Sequence, residues 1–149
     1  MSSYAPLLAK EGHTQWKPDL IYFNNDSITL TPDYHVMRLV GENSGNIYFK
    51  SQLEIEHEYP DIINRLAYSV VKDEDTDQFI IKFVNLLPTN LDLNLDLSLI
   101  KPQVNNAEIT VFQGSPEGSS PLINRNSLEI NSNNTLISVP EYSFTIIRL

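Results

Sequence analysis

The sequence predicts a mainly β protein: an antiparallel, jelly-roll-like β-sandwich over residues 45–149, preceded over residues 1–44 by a single β/α unit. Three observations lead there. In Leu91-Asp92-Leu93-Asn94-Leu95-Asp96-Leu97-Ser98-Leu99, five leucines alternate with four polar residues, the period of a strand with one face in a core and one in water. Further strand-like stretches recur at short intervals between turn-rich joints, the pattern of a sandwich or jelly roll. Only one well-capped helical stretch is present, and it lies in the first part with the single tryptophan.

In chain order, Asp19-Leu20-Ile21-Tyr22-Phe23 is a short apolar run closed by Asn24-Asn25-Asp26, which reads as a buried strand ending in a turn. A loop leads to a helix over Pro32–Val40. Thr31 suits the N-cap, Pro32 the first helical position, and Asp33 the positive end of the helix dipole. Val36, Met37 and Val40 share a face, and Gly41 is a natural stop. Strands are then expected at 47–57, 65–72, 77–86, 90–100, 104–113, 128–131, 135–139 and 142–149. Phe79-Ile80-Ile81-Lys82-Phe83-Val84 is apolar on both faces, so it belongs at the centre of a sheet or beneath another element. Lys72–Asp77 reads as a charged hairpin tip, Asn131-Ser132-Asn133-Asn134 as a tight hairpin turn, and residues 113–121 as a surface loop.

The totals narrow the partners. A 149-residue chain with 41% hydrophobic residues can bury a core. Its net charge of −9 repels polyanions, so nucleic acid and anionic membrane surfaces are excluded as partners while a neutral sugar polymer is not. No stretch approaches the length of a membrane span. With no cysteine, disulfides, thiolate metal sites and a thiol nucleophile are out. The compartment stays open.

No catalytic or metal constellation emerges, and no cofactor motif does. Glu54, Glu56 and Glu58 alternate along an expected strand; glycosidases instead need two carboxylates facing each other, about 5–5.5 Å apart or about 6.5–9.5 Å apart. Asp73, Asp75 and Asp77 have the opening spacing of a calcium loop, but Gln78 stands where Gly is needed and Val84 where the bidentate Glu is needed. His13, His35 and His57 lack metal-ligand spacing. There is no Gly-x-Ser-x-Gly elbow and no phosphate loop. Asn25-Asp26-Ser27 and Asn133-Asn134-Thr135 match the glycosylation triplet. Trp16 is the residue of most interest: a flat aromatic face can stack on a sugar ring, though a large residue covering the end of a core is the commoner case.

Three ordered motifs carry a resemblance. They are Ser3-Tyr4-Ala5-Pro6-Leu7-Leu8, then Trp16-Lys17-Pro18-Asp19-Leu20-Ile21-Tyr22-Phe23-Asn24-Asn25, then Thr31-Pro32-Asp33-Tyr34-His35-Val36-Met37-Arg38-Leu39-Val40. Together they resemble the end of the catalytic barrel in the α-L-arabinofuranosidases of glycoside hydrolase family fifty-one. Val139-Pro140-Glu141-Tyr142-Ser143-Phe144-Thr145-Ile146-Ile147-Arg148-Leu149 is similar to that family's closing strand. Residues 46–138 match only in strand character. The resemblance implies a (β/α)8 barrel followed by a C-terminal β-sandwich. Asp19–Asn24 would be the last barrel strand and Pro32–Val40 the last barrel helix. It also implies retaining hydrolysis of terminal α-L-arabinofuranosyl groups from arabinan or arabinoxylan by two glutamates on earlier strands, expected upstream of Met1. Neither glutamate matches a position here, so no catalytic residue is assigned.

Since barrel active sites lie at the C-terminal ends of the strands, Asn24 and Asn25 become candidates for the substrate rim; Trp16, which precedes the strand, is a third candidate whose side of the barrel stays open. The leading expectation is a non-catalytic accessory domain whose partner is the parent's catalytic barrel. The parent would be a periplasmic, secreted or cytoplasmic bacterial enzyme that meets arabinose-containing polysaccharide. Two alternatives remain: a stand-alone carbohydrate-binding module using Trp16, and a homo-oligomer formed through the barrel-facing side of Val36, Met37 and Val40.

Overall fold

A computed structural model of the chain describes residues 3–56, 59–100, 105–115, 121–130 and 133–149. It is mainly β, and it divides into two compact units, Met1–Glu42 and Asn43–Leu149.

The first unit is built on a three-stranded sheet. Strands β1 (Leu8–Lys10) and β2 (Ile21–Phe23) pair in parallel, with Leu8 opposite Ile21 and Lys10 opposite Phe23. Strand β3 (Ile28–Leu30) pairs antiparallel with the other edge of β2. The expected strand at Asp19–Phe23 is thus present as β2, but two neighbours were not anticipated. Sequence reading assigned no element to Leu8–Lys10 and a loop to Ile28–Leu30. Both strands have only three residues, too few to show a period, and they are fixed by backbone pairing with β2.

Helix α1 (Pro32–Glu42) follows. Thr31 caps it as expected: its Oγ1 accepts from Tyr34 N at 3.4 Å. The same hydroxyl donates to Leu20 O at 2.7 Å, which ties the helix start to the strand. One expectation is corrected. Gly41 does not stop the helix, which runs on to Glu42. Leu39 is the buried residue of the helix, 1% exposed, and sequence reading did not single it out; Val40, on the side expected to need cover from a barrel, is 47% exposed.

The second unit holds a six-stranded sheet in the order β4 (Ile47–Phe49), β5 (Leu66–Asp73), β6 (Gln78–Asn85), β11 (Ser143–Arg148), β8 (Asn106–Gln113), β9 (Leu122–Glu129). A separate ribbon pairs β7 (Leu91–Asp96) with β10 (Asn134–Val139). All pairings in this unit are antiparallel. The chain changes sheet between β6 and β7, returns for β8 and β9, leaves for β10 and comes back for β11. A short helix, α2 (Pro60–Ile63), precedes β5.

One apolar core joins the two sheets: Ile81, Phe83, Ala107 and Ile147 from the large one meet Leu95, Ile137 and Val139 of the ribbon, with Leu97, Ile130 and Leu149 completing the set. The alternation in β7 decides which side of the ribbon faces this core. Leu95 is buried while Asp92, Asn94 and Asp96 are exposed. Strand β6 is central in its sheet and buried on both faces, with Ile80 at 3% and Ile81 at 8%, as its two-sided apolar pattern required.

Several boundaries differ from the expectation. The strand of Leu91–Leu99 ends at Asp96. Leu97 still enters the core, but a turn closed by Ile100 N to Leu97 O leaves Leu99 96% exposed. Strand β9 begins at Leu122 and not at 128, because its pairing with β8 overrides a polar sequence. The expected turn at 131–134 includes Asn131 and Ser132, which lie outside the described residues; the strands on either side of it, β9 and β10, belong to different sheets. Among the described residues of the 47–57 stretch, only Ile47–Phe49 is strand. Glu54 and Glu56 therefore sit exposed in irregular chain, and His57 and Glu58 lie outside the described residues.

At the start of the second unit, Asn43 is 5% exposed and receives two cations. Lys82 Nζ donates to its backbone oxygen at 2.6 Å and Arg148 Nε to its side-chain oxygen at 2.7 Å. Burial pushes the Lys82 pKa down from the ordinary lysine value, because the ammonium gives up water there.

Candidate functional site

The parallel pair β1–β2 gives the first unit a polarity, and the sequence-derived candidates distribute along it. Asn24 is the residue after β2. Its neighbour across the ladder is Glu11, the residue after β1, whose N–H donates to Phe23 O at 2.9 Å. Asn24 is spent on local structure. Its Oδ1 accepts from Asp26 N and Ser27 N, both at 2.8 Å, and from Ser27 Oγ at 3.1 Å, an Asx turn that starts the β2–β3 hairpin. Its Nδ2 donates to Glu11 Oε2 at 2.9 Å. Thr29 Oγ1 approaches the other carboxylate oxygen at 3.5 Å. Gly12, at φ 73°, turns the chain away immediately afterwards, a conformation that suits glycine. Asn25 stands exposed at the tip of this turn.

Sequence reading missed Glu11. Nothing around it forms a motif, and its place beside Asn24 follows only from the parallel register of two short strands.

Trp16 is held elsewhere. It is 70% exposed and lies in the connection between β1 and β2. Its N–H donates to Thr14 Oγ1 at 3.1 Å, and Thr14 Oγ1 lies 3.0 Å from Asp19 Oδ2. Asp19 is fully buried just before β2, and its N–H donates to Tyr22 Oη at 2.8 Å. Trp16 is therefore anchored through the residue that precedes β2, whereas Asn24 and Asn25 follow that strand. No hydrogen bond between described residues links the two groups.

Near the helix start, Tyr4 Oη donates to Asp33 Oδ2 at 2.8 Å. That bond to a carboxylate, then partial loss of water, pushes the Tyr4 pKa up to about 12. One face of the small sheet is apolar and open, with Leu8 at 58% and Ile28 at 71% exposed beside Phe23 and Leu30.

The charged hairpin tip uses its own carboxylates. Asp73 accepts from Asp75 N at 3.1 Å and Thr76 Oγ1 at 2.8 Å, and Asp77 pairs with Lys72 at 2.5 Å. Among the described residues there is no cluster of three or more His, Cys, Asp or Glu that could hold a metal ion, and no helix long and apolar enough to cross a membrane.

The α-L-arabinofuranosidase C-terminal domain family matches residues 1–146. An extracellular exo-α-L-arabinofuranosidase of Streptomyces chartreusis is 46% identical over 46 residues, 31% of this chain and 6% of that protein. Among solved structures, the arabinose-bound MgGH51 α-L-arabinofuranosidase shares the fold with a TM-score of 0.82 at 22% identity, over 98% of this chain and 23% of that one. The thermostable GH51 α-L-arabinofuranosidase from Thermotoga petrophila RKU-1 gives a TM-score of 0.72 at 15% identity, over 88% of this chain and 31% of that one. The chain thus spans less than a third of the length of each of these relatives.

Proposed function

The chain belongs to the α-L-arabinofuranosidase C-terminal domain family, and from that premise we propose that it is the non-catalytic accessory end of a larger retaining α-L-arabinofuranosidase. In this reading residues 45–149 are a jelly-roll-like β-sandwich, and residues 1–44 carry the last strand and helix of a (β/α)8 catalytic barrel. The barrel is the partner, and arabinose-containing polysaccharide is met through it.

The observation that carries the reading is the parallel pairing of Leu8–Lys10 with Ile21–Phe23 in a unit with an open apolar sheet face. Two parallel strands of three residues cannot cover themselves. A barrel supplies a further parallel neighbour for the free edge of β1, since β2 already lies between β1 and β3, and a layer for that face. At the C-terminal ends of the strands, where such barrels act, Asn24 shapes the turn that presents Asn25 as a rim residue. Trp16 is an exposed aromatic surface of the same unit, in the β1–β2 connection.

An aryl α-L-arabinofuranoside assay tests the assignment. This chain by itself is expected to show no turnover, and turnover at the rate of a complete enzyme would overturn it. Calorimetry against arabinan and arabinoxylan separates this from a stand-alone sugar-binding module, which the absence of binding at millimolar sugar removes. Retained millimolar-range affinity after Trp16→Ala would count against Trp16 as its platform.

A further inference from the structure

We propose that Glu11 is a sugar-hydroxyl-binding residue at the C-terminal end of the β1–β2 pair, held ready by Asn24. This rests on the reading of that strand end as a substrate rim. Four observations support it.

The first is position: Glu11 and Asn24 are the first residues beyond two parallel strands, side by side in the ladder, with the Glu11 N–H fixed on Phe23 O at 2.9 Å. The second is order. The carboxylate is gripped by Asn24 Nδ2 at 2.9 Å on Oε2 and approached by Thr29 Oγ1 at 3.5 Å on Oε1, so an exposed side chain that would otherwise sample many rotamers is oriented before any ligand arrives.

The third is chemistry. Both neighbours are neutral, and among the described residues no ion pair involves Glu11. Each carboxylate oxygen can accept more than one hydrogen bond, so the group keeps free acceptor capacity pointing into solvent. A carboxylate of this kind accepts from two adjacent hydroxyls of one sugar ring, and these charge-assisted bonds are the stronger class. The fourth is the neighbouring amide: the Asn24 carbonyl is taken up by three donors of its own turn, which leaves Asn24 as a positioning residue and Glu11 as the group that meets the ligand. A polyanion would be repelled here, and a neutral furanoside diol would not.

The test uses the full 149-residue chain labelled with nitrogen-15 and titrated with methyl α-L-arabinofuranoside. The Asn24 side-chain amide and the backbone amides of Glu11 and Thr29 are the reporters. Saturable shifts at these groups are expected, weakened about tenfold or more in Glu11→Gln, which keeps the side chain's shape and removes its charge. A Glu11→Gln spectrum that is otherwise unchanged establishes that the fold persists. No shift in the parent chain, or an equal affinity in Glu11→Gln, overturns the proposal. Shifts confined to Trp16 and its neighbours would overturn it while leaving the accessory-domain reading intact. Turnover of an aryl arabinofuranoside by the chain would overturn that reading separately.

Discussion

Arg148 donates from Nε to the side-chain oxygen of Asn43 at 2.7 Å, across 105 positions of sequence. The contact fastens the first residue of the second unit to its last strand. Removing the acceptor with Asn43→Ala deprives a partly buried cation of one hydrogen bond. A loss of about 1–2 kcal/mol is expected, read as a melting temperature several degrees lower. Asn43→Asp keeps an oxygen acceptor and adds charge assistance, so it should recover most of the loss.

Asn85 is fully buried and bridges two loops, the β6–β7 and β10–β11 connections. Its Nδ2 donates to Thr89 O and Pro140 O, both at 2.9 Å, and its Oδ1 accepts from Leu87 N at 3.0 Å. Asn85→Leu keeps the volume and strands these backbone groups, at about 1–3 kcal/mol for each one left dry. Urea denaturation should therefore show a larger loss for Asn85→Leu than for Asn43→Ala.

Tyr4 supplies the pH dependence. Its phenol is pushed up to about 12 from 10.0, so the neutral form is favoured in the folded state. The stability it contributes is full below pH 10.0 and disappears as pH rises through about 12. In a spectrophotometric titration of the seven tyrosines, Tyr4 is expected among the last to ionise. Asp33→Asn should bring that late step down, and Tyr4→Phe should remove it.

Leu97 and Leu99 form a matched pair two positions apart. Leu97 is 1% exposed and Leu99 96% exposed. Leu97→Ala should cost about 2–5 kcal/mol, whereas Leu99→Ala should stay within about 0.5 kcal/mol of the parent. Parallel thermal melts of the two variants check this.

The same pair shows how far sequence reading reaches. Alternation specified the inward side of β7 from Leu91 to Leu97, yet it carried no information that a turn begins after Leu97. The two-sided apolarity of residues 79–84 was enough to place β6 centrally, because only a central strand hides both faces. Strand β9 was unreadable over 122–127: Asn124, Arg125 and Asn126 are polar and exposed, and only pairing with β8 makes them strand.

At the candidate site, Asn24 could be read as a turn former after an apolar run. Glu11 could not, since its partner lies 13 positions away and their meeting depends on strand direction. Trp16 was visible by residue type alone; its anchor through Thr14 and Asp19 was not.

The place of β11 constrains how the second unit can be made. It lies between β6 and β8, so without it the large sheet is two separate pieces, β4–β5–β6 and β8–β9, with no ladder between them. During synthesis both pieces leave the ribosome before Ser143–Arg148 does. A nascent chain can form hairpins early, but the sheet closes only when its final strand slides between two edges already waiting. Premature termination after Glu129 but before Ser143 would release a chain with the β6 and β8 edges both open, the kind of surface on which aggregates grow.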